Sequence, residues 1–460
     1  MVISFDETFD KVRECFQEDS IITSLVPKLK DVTIIRDVYG KIRLFLDLKD
    51  EIRQADVHTS PLEQFLSDKL GKYYGQDIWL PEGEKDGYKA LIDTIKAERT
   101  SPLWDDPSVS PRWHVLERHI AKQSWTGMRI GNPPWDNNLV MDRYKPAIIS
   151  FFSFKGGVGR TSSLVATALT LARNGHRVAI VDLDLEAPGL ATIFSPEDDG
   201  NPGVIDYLLE KKIQGNNWSL ETVRSISRPD LLGDNGETIH LLPAGTVDKN
   251  YLEKLARLDF QNLVDGELED RMHHMLQELN GRVPNLDFIL LDARAGFHDI
   301  GGLAITNLSH GVVIFGTQSR QSWAGLTHVI RHLAPSGSDE APSLILVHSM
   351  APALEISGRG RELTEFRDRA YNIFQDNYYA VTEDVPNSND TEAPFYPVDV
   401  PYHNNLRGDI ALFPRDSTPQ NNEESTRLSV LVNTMTNSPY RDIAEKLCTA
   451  FGRELQTSNG

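Results

Sequence analysis

The chain has 460 residues, with 67 acidic against 47 basic side chains and a formal charge of −20. That length is ample for a large core and two domains, and that charge disfavours nonspecific attraction to nucleic acid or anionic lipid. Cys15 and Cys448 have neither metal-ligand nor disulfide-framework spacing and no run of 18 apolar residues occurs, so a chain without secretory leader or membrane span, in a reducing cytoplasm, is expected.

Residues 1–100 predict a small α/β accessory domain. The runs 32–36 and 41–46 flank a turn at Asp37-Val38-Tyr39-Gly40 and read as a hairpin. Ser60-Pro61 supplies a helix start, with Leu62, Phe65, Leu66 and Leu70 on one side. Residues 101–145 read as a connector rich in proline and tryptophan, carrying Trp104, Trp113, Trp125 and Trp135. Proline with aromatics and little Gly/Ser suggests a connector packed onto a surface, the tryptophans anchoring it to the domain that follows or, as the alternative, forming a partner surface, with a short helix expected over 113–125.

The remaining stretch, 146–460, opens with the apolar run 147–152, of buried-strand type. Phe154-Lys155-Gly156-Gly157-Val158-Gly159-Arg160-Thr161-Ser162 follows, and then a helical pattern over 163–173. Three residues without Cβ in four positions let backbone N–H groups converge on an anion, and basic and hydroxyl side chains crowd the same loop. Strand, glycine loop and helix start stand in the order that a phosphate-binding P-loop requires. Against the common form G-x-x-x-x-G-K-[ST], Phe154 replaces the first glycine and Arg160 the lysine. Arginine keeps the charge but presents a planar fork, so binding is expected to survive and fast turnover is not.

A strand at 177–181 runs into Asp182-Leu183-Asp184-Leu185-Glu186, whose alternate carboxylates Asp182 and Asp184 point to one face, as a site holding Mg²⁺ and a water needs. A third apolar run, 288–291, closes on Asp292, the arrangement in which a carboxylate orients Mg²⁺ through its water shell. Further strands at 238–242, 312–317 and 343–347 alternate with helical patterns at 250–260 and 321–332. This alternation predicts a doubly wound, mostly parallel α/β sheet, with nucleotide beyond the strand carboxyl ends. His273-His274 sit adjacent on a helix and face different ways, so no metal site is expected there. The arginines at 359, 361, 367 and 369 alternate with acids and read as a solvated helix face. Residues 415–425 read as a mobile loop, and the apolar stripe of 440–455 lacks a basic polar face, so it reads as a core helix and no membrane anchor is expected.

The early Lys155 in K-G-G-x-G resembles the deviant Walker A motif of the ParA and MinD group of ATPases. K-G-G-V-G-R resembles a bacterial subset described as KGGVGR-motif ATPases. The resemblance implies ATP and Mg²⁺ as ligands and a homodimer closed around nucleotide. Lys155 then reaches the partner's phosphates, Arg160 takes the P-loop lysine position, and Thr161 binds the metal. It also implies that Asp184 orients water, Asp182 lies near the metal, and Asp292-Ala293-Arg294-Ala295-Gly296 is the second switch, where Arg294, His298 and Asp299 depart from the usual form. The segment 395–402 resembles the base pocket of relatives, with Pro401 and Tyr402 as base contacts; His348 stands where relatives often carry an adenine-reading Asn. The implied function is a regulatory switch for a protein partner in a bacterial conflict or defence system. The alternatives are a nucleotide-binding scaffold with little hydrolysis, or a DNA-partitioning or positioning ATPase, which the acidic charge makes less attractive.

Overall fold

The computed structural model describes residues 3–18, 20–83, 87–102, 104–106, 108–118, 125, 131–196, 201–215, 218–220, 223–265, 267–335, 341–353, 356–380, 385–406, 408, 410–414 and 422–455. Two units result, Met1–Ala121 and Lys122–Gly460. In the first, the expected hairpin is present as β1 (Leu29–Arg36) and β2 (Ile42–Leu48). Its turn is closed by Asp37 Oδ1, which accepts the N–H groups of Tyr39 and Lys41 at 3.0 and 2.9 Å. With β3 (Tyr74–Trp79) and β4 (Arg112–Glu117) the order is β3-β2-β1-β4. Only the β1–β2 pairing is antiparallel.

Period-two alternation divides the core between the two faces of this sheet. Val32 and Ile34 pack with Leu62, Leu66 and Leu70, whereas Ile35, Phe45 and Leu116 pack with Ile92 and Ile95. Trp113, expected on a short helix, lies instead on β4 opposite Val32. The run Trp113-His114-Val115-Leu116 suits a pleated surface, and β1 offers it an open edge. Its ring meets Phe16 and Trp104 edge-on at 5.2 and 5.8 Å. Residues 119–124 of that expected helix lie outside the described residues.

The second unit is built on eight strands: β5 (Ala147–Ser153), β6 (Val178–Asp182), β7 (Arg224–Ile226), β8 (Ile239–Leu242), β9 (Phe288–Asp292), β10 (Gly311–Gly316), β11 (Ser343–Ala351) and β12 (Val398–Pro401). Their order is β12-β11-β10-β5-β9-β6-β8-β7, and only β7 runs antiparallel to its neighbour. β5, β6 and β9 are buried along their whole length, which is why they read as unbroken apolar runs. Register then decides what meets at their ends: Asp182 pairs with Asp292, so the last residues of β6 and β9 align, and Asp292 pairs with Phe151, two residues before the end of β5.

Helix Arg160–Arg173 packs against this central group, joined by helices Asn422–Thr436 and Tyr440–Ala450. Ile443, Ala444, Leu447 and Cys448 are buried there, so the last helix packs into the core. Of the loop expected over 415–425, residues 422–425 are helical instead, and 415–421 lie outside the described residues. Among the described residues no helix is long and apolar enough to cross a membrane.

At the amino end of the sheet His310 ties three segments together. The Ile148 N–H donates to Nδ1 at 3.1 Å and Nε2–H donates to the Trp135 carbonyl at 2.9 Å, a pattern that only the neutral ring satisfies. Burial pushes His310 down to about 4. An unfolded histidine titrates near 6.5, so between that pH and 4 the unfolded chain takes up a proton that the folded one refuses. Stability present above pH 6.5 is therefore expected to fall by about 3 kcal/mol by pH 4. Urea unfolding of wild type and His310→Gln across this range checks it; an equally steep fall in both would show that another group is responsible.

Candidate functional site

The loop between β5 and helix Arg160–Arg173 takes its shape from glycine. Gly157 and Gly159 have φ of 73° and 78°, the left-handed region that side chains disfavour. A Cβ added at Gly156, Gly157 or Gly159 would meet no heavy atom within 4 Å, so the concave side of the loop is open. Below it, the Phe154 ring lies where a Cβ on Gly325 would overlap it, and stands 4.9 Å from the Phe297 ring. Lys155 is exposed, Val158 is buried, and Ser162 is half-buried at the first helical turn.

Arg160 is buried, and its guanidinium is turned to the neighbouring strand ends. Nε donates to Asp292 Oδ1 at 2.6 Å and Nη2 to Asp184 Oδ2 at 3.1 Å. Thr161 Oγ1 donates to the other oxygen of Asp292 at 2.7 Å. Arg160 therefore links the candidate residues Asp184 and Asp292, and Asp292 links Arg160 to Thr161. Burial pushes the Asp292 carboxyl above its ordinary range, against the pull of Arg160 and Thr161.

Asp182 serves the loop that follows it. Oδ1 accepts the Asp184 N–H at 3.1 Å, and Oδ2 accepts the N–H groups of Gly189 and Leu190 at 3.0 Å each. Burial and the neighbouring Asp292 push it up to about 7. Asp182 thus shapes the loop that presents Asp184. Glu186, the third carboxylate of the alternating run, did not stand out in the sequence. It receives Arg294 Nη2 at 2.7 Å and lies 2.9 Å from His298 Nε2. The signal for it was the period-two spacing 182, 184, 186 together with an arginine two residues beyond Asp292.

On the other side of β5, Pro401 ends β12 and Tyr402 is half exposed, three strands or about 14 Å away in the sheet. His348 is buried, stacked on Phe366 at 3.8 Å. Its Nδ1 lies 3.0 Å from Asp399 Oδ1, and Arg367 Nη2 donates to Asp399 Oδ2 at 2.7 Å. Of the remaining arginines in that stretch, Arg361 pairs with Glu365 and Arg369 lies over the Trp323 ring. His273 and His274 bond separately, to the carbonyls of Asn307 and Asp270.

An oxygen donor set of Thr161, Asp184 and Asp292 beside an open glycine cradle suits a hard cation that arrives with phosphate oxygens. It does not suit a cation held by protein alone: among the described residues no three His, Cys, Asp or Glu side chains form a metal cluster.

Residues 145–235 match the family model described as ParA, NUBPL iron-transfer P-loop NTPase. Over 92 residues the chain is 36% identical to the cytosolic Fe-S cluster assembly factor CFD1 of Saccharomyces cerevisiae, covering 20% of this chain and 31% of that protein. Over 167 residues it is 26% identical to the septum site-determining protein MinD of Neisseria meningitidis serogroup B, covering 36% of this chain and 52% of that one. The chain thus spans about a third to a half of the length of these curated relatives. The solved structure of pNOB8 ParA aligns with a TM-score of 0.45 at 15% identity, over 66% of this chain and 100% of that one. The family match falls on the glycine loop and the first carboxylate strand, so this part of the second unit is similar to the P-loop region of ParA/MinD-type NTPases.

Proposed function

We propose that this protein binds ATP with Mg²⁺, closes as a homodimer around it, hydrolyses it slowly, and by that cycle switches a protein partner. The observation that carries the reading is the position of Arg160, paired at once with Asp292 at the end of β9 and with Asp184 in the loop after β6. A triphosphate entering the glycine cradle competes for that guanidinium, since phosphate oxygens are strong bidentate acceptors. Binding therefore loosens two carboxylates on two separate loops, and the loops are released together. Slow turnover follows from the same fact, because the pairs must be given up before Asp184 can orient water.

Thr161 and Asp292 would hold Mg²⁺, with Asp182 fixing the adjacent loop. The cation supplies charge neutralisation between phosphate oxygens when bound. Lys155 lies exposed beside the glycines, which supports its reaching a partner chain. The same Arg160 pairs favour a second reading, a nucleotide-binding scaffold with little hydrolysis. A conflict-system setting rests on the K-G-G-V-G-R resemblance alone.

Phosphate release distinguishes the two readings. Wild type is expected to release phosphate from ATP, and Asp184→Ala to do so about 100-fold more slowly while still binding ATP. Wild-type release no faster than the variant's, with ATP bound by both, would leave the scaffold. Light-scattering mass measurements should show a doubling with ATP that Lys155→Ala abolishes; an ATP-bound wild type that stays at one mass would refute the dimer. Arg160→Ala leaves two carboxylates without their counter-charge in a buried site, and should lower stability to urea by about 3 kcal/mol.

A further inference from the structure

Arg294 stands two residues beyond Asp292 and is anchored twice. Its Nη2 is held by Glu186 at 2.7 Å, and Glu186 is held in turn by His298, whose carbonyl accepts the Trp125 indole N–H at 2.8 Å. Its own carbonyl oxygen lies 2.7 Å from where a Cβ on Gly301 would stand, so glycine is needed there to let the backbone pass. Nη1 remains. It lies 3.6 Å from Asp184 Oδ1, and among the described residues neither of these buried atoms has a hydrogen-bond partner.

A buried donor and a buried acceptor left unpaired cost roughly 1–3 kcal/mol each. Both atoms are closed to solvent as they stand, 3.6 Å apart, and once nucleotide entry frees Asp184 from Arg160 the pair offers an entering water one donor and one acceptor. We propose that Arg294 Nη1 and Asp184 Oδ1 together seat the water that attacks the terminal phosphate, with Arg294 as a positioning residue.

This inference rests on the hydrolytic reading above. Asp184 accepts one water hydrogen and Arg294 donates to one lone pair, which leaves the second lone pair for phosphorus. The water oxygen bonds to the terminal phosphorus, and the bond from that phosphorus to the bridging oxygen breaks, its electron pair leaving on the nucleoside diphosphate. One proton of the water stays on the product as hydrogenphosphate and the other passes through Asp184 to solvent. The positive charge of Arg294 also offsets the repulsion between Asp184 and the phosphates.

The test uses the full chain, ATP affinity by calorimetry, and single-turnover phosphate release. Arg294→Met should bind ATP within about threefold of wild type and release phosphate about 100-fold more slowly. Arg294→Lys should recover part of the rate. Added guanidinium ion should speed Arg294→Ala and leave wild type unchanged, a response that a structural role would not give. Glu186→Gln, which keeps the acceptor and removes its charge, provides a milder variant with a loss of about tenfold. Equal release by wild type, Arg294→Met and Glu186→Gln overturns this inference and leaves the hydrolytic reading standing. A wild type that binds ATP and releases nothing overturns both, and one that binds no ATP overturns the nucleotide reading itself.

Discussion

The double pairing of Arg160 is the interaction on which the arrangement of the site depends. Parallel register places Asp182 directly beside Asp292, and the strand end after β6 adds Asp184, so three carboxylates converge in a mostly buried place. Carboxylates so close and so dry repel one another and lose hydration, and burial duly pushes both Asp182 and Asp292 upward. A single guanidinium answers two of them because its fork can donate from Nε and Nη2 in different directions. An ammonium in the same place is a point charge and cannot span two loops with fixed geometry. The replacement of lysine by arginine at the end of the glycine loop is thus what lets the loop hold both carboxylate strands.

That pairing fixes more than charge. With Arg160 and Thr161 both bonded to Asp292, the first turn of the helix is tied to β9; with Asp182 bonded to three backbone N–H groups, the loop from 183 to 190 is tied to β6. Asp184 is the element shared between the two. It bonds to Arg160 on one oxygen and faces Arg294 with the other, so a shift of either arginine is felt by the same carboxylate. Coupling here needs no long route, because each loop reaches the other through one side chain.

Much of this frame was legible beforehand. Buried parallel strands must read as continuous apolar runs, and β5, β6 and β9 did; β6 and β9 also ended on aspartate, which marks the carboxyl edge. The glycine loop was legible because left-handed φ at Gly157 and Gly159 has few other residues to serve it. What a sequence does not carry is the partner of a long side chain. Arg160 and Asp292 are 132 positions apart, and their bond exists because β5 and β9 pair in one particular register. His348 was read against a base, yet its partner Asp399 lies on the neighbouring strand, 51 positions on. Trp113 failed for a related reason: a six-residue strand completing an edge of β1 shows no period long enough to oppose a helix.

The two ends of the large sheet answer burial differently, and the difference bears on function. At the amino end both ring nitrogens of His310 are bonded, and His176, although burial works against its charged form, is pushed up to about 10 by Asp287 and its other contacts. At the carboxyl end the accounts stay open, with Asp184 Oδ1 and Arg294 Nη1 unpaired among the described residues and the glycine cradle clear. An unpaired buried group is tolerated where the rest of the fold is stable enough to carry it. The central apolar strands supply that stability, and this unpaired donor and acceptor adjoin Arg160 at the end of the glycine loop.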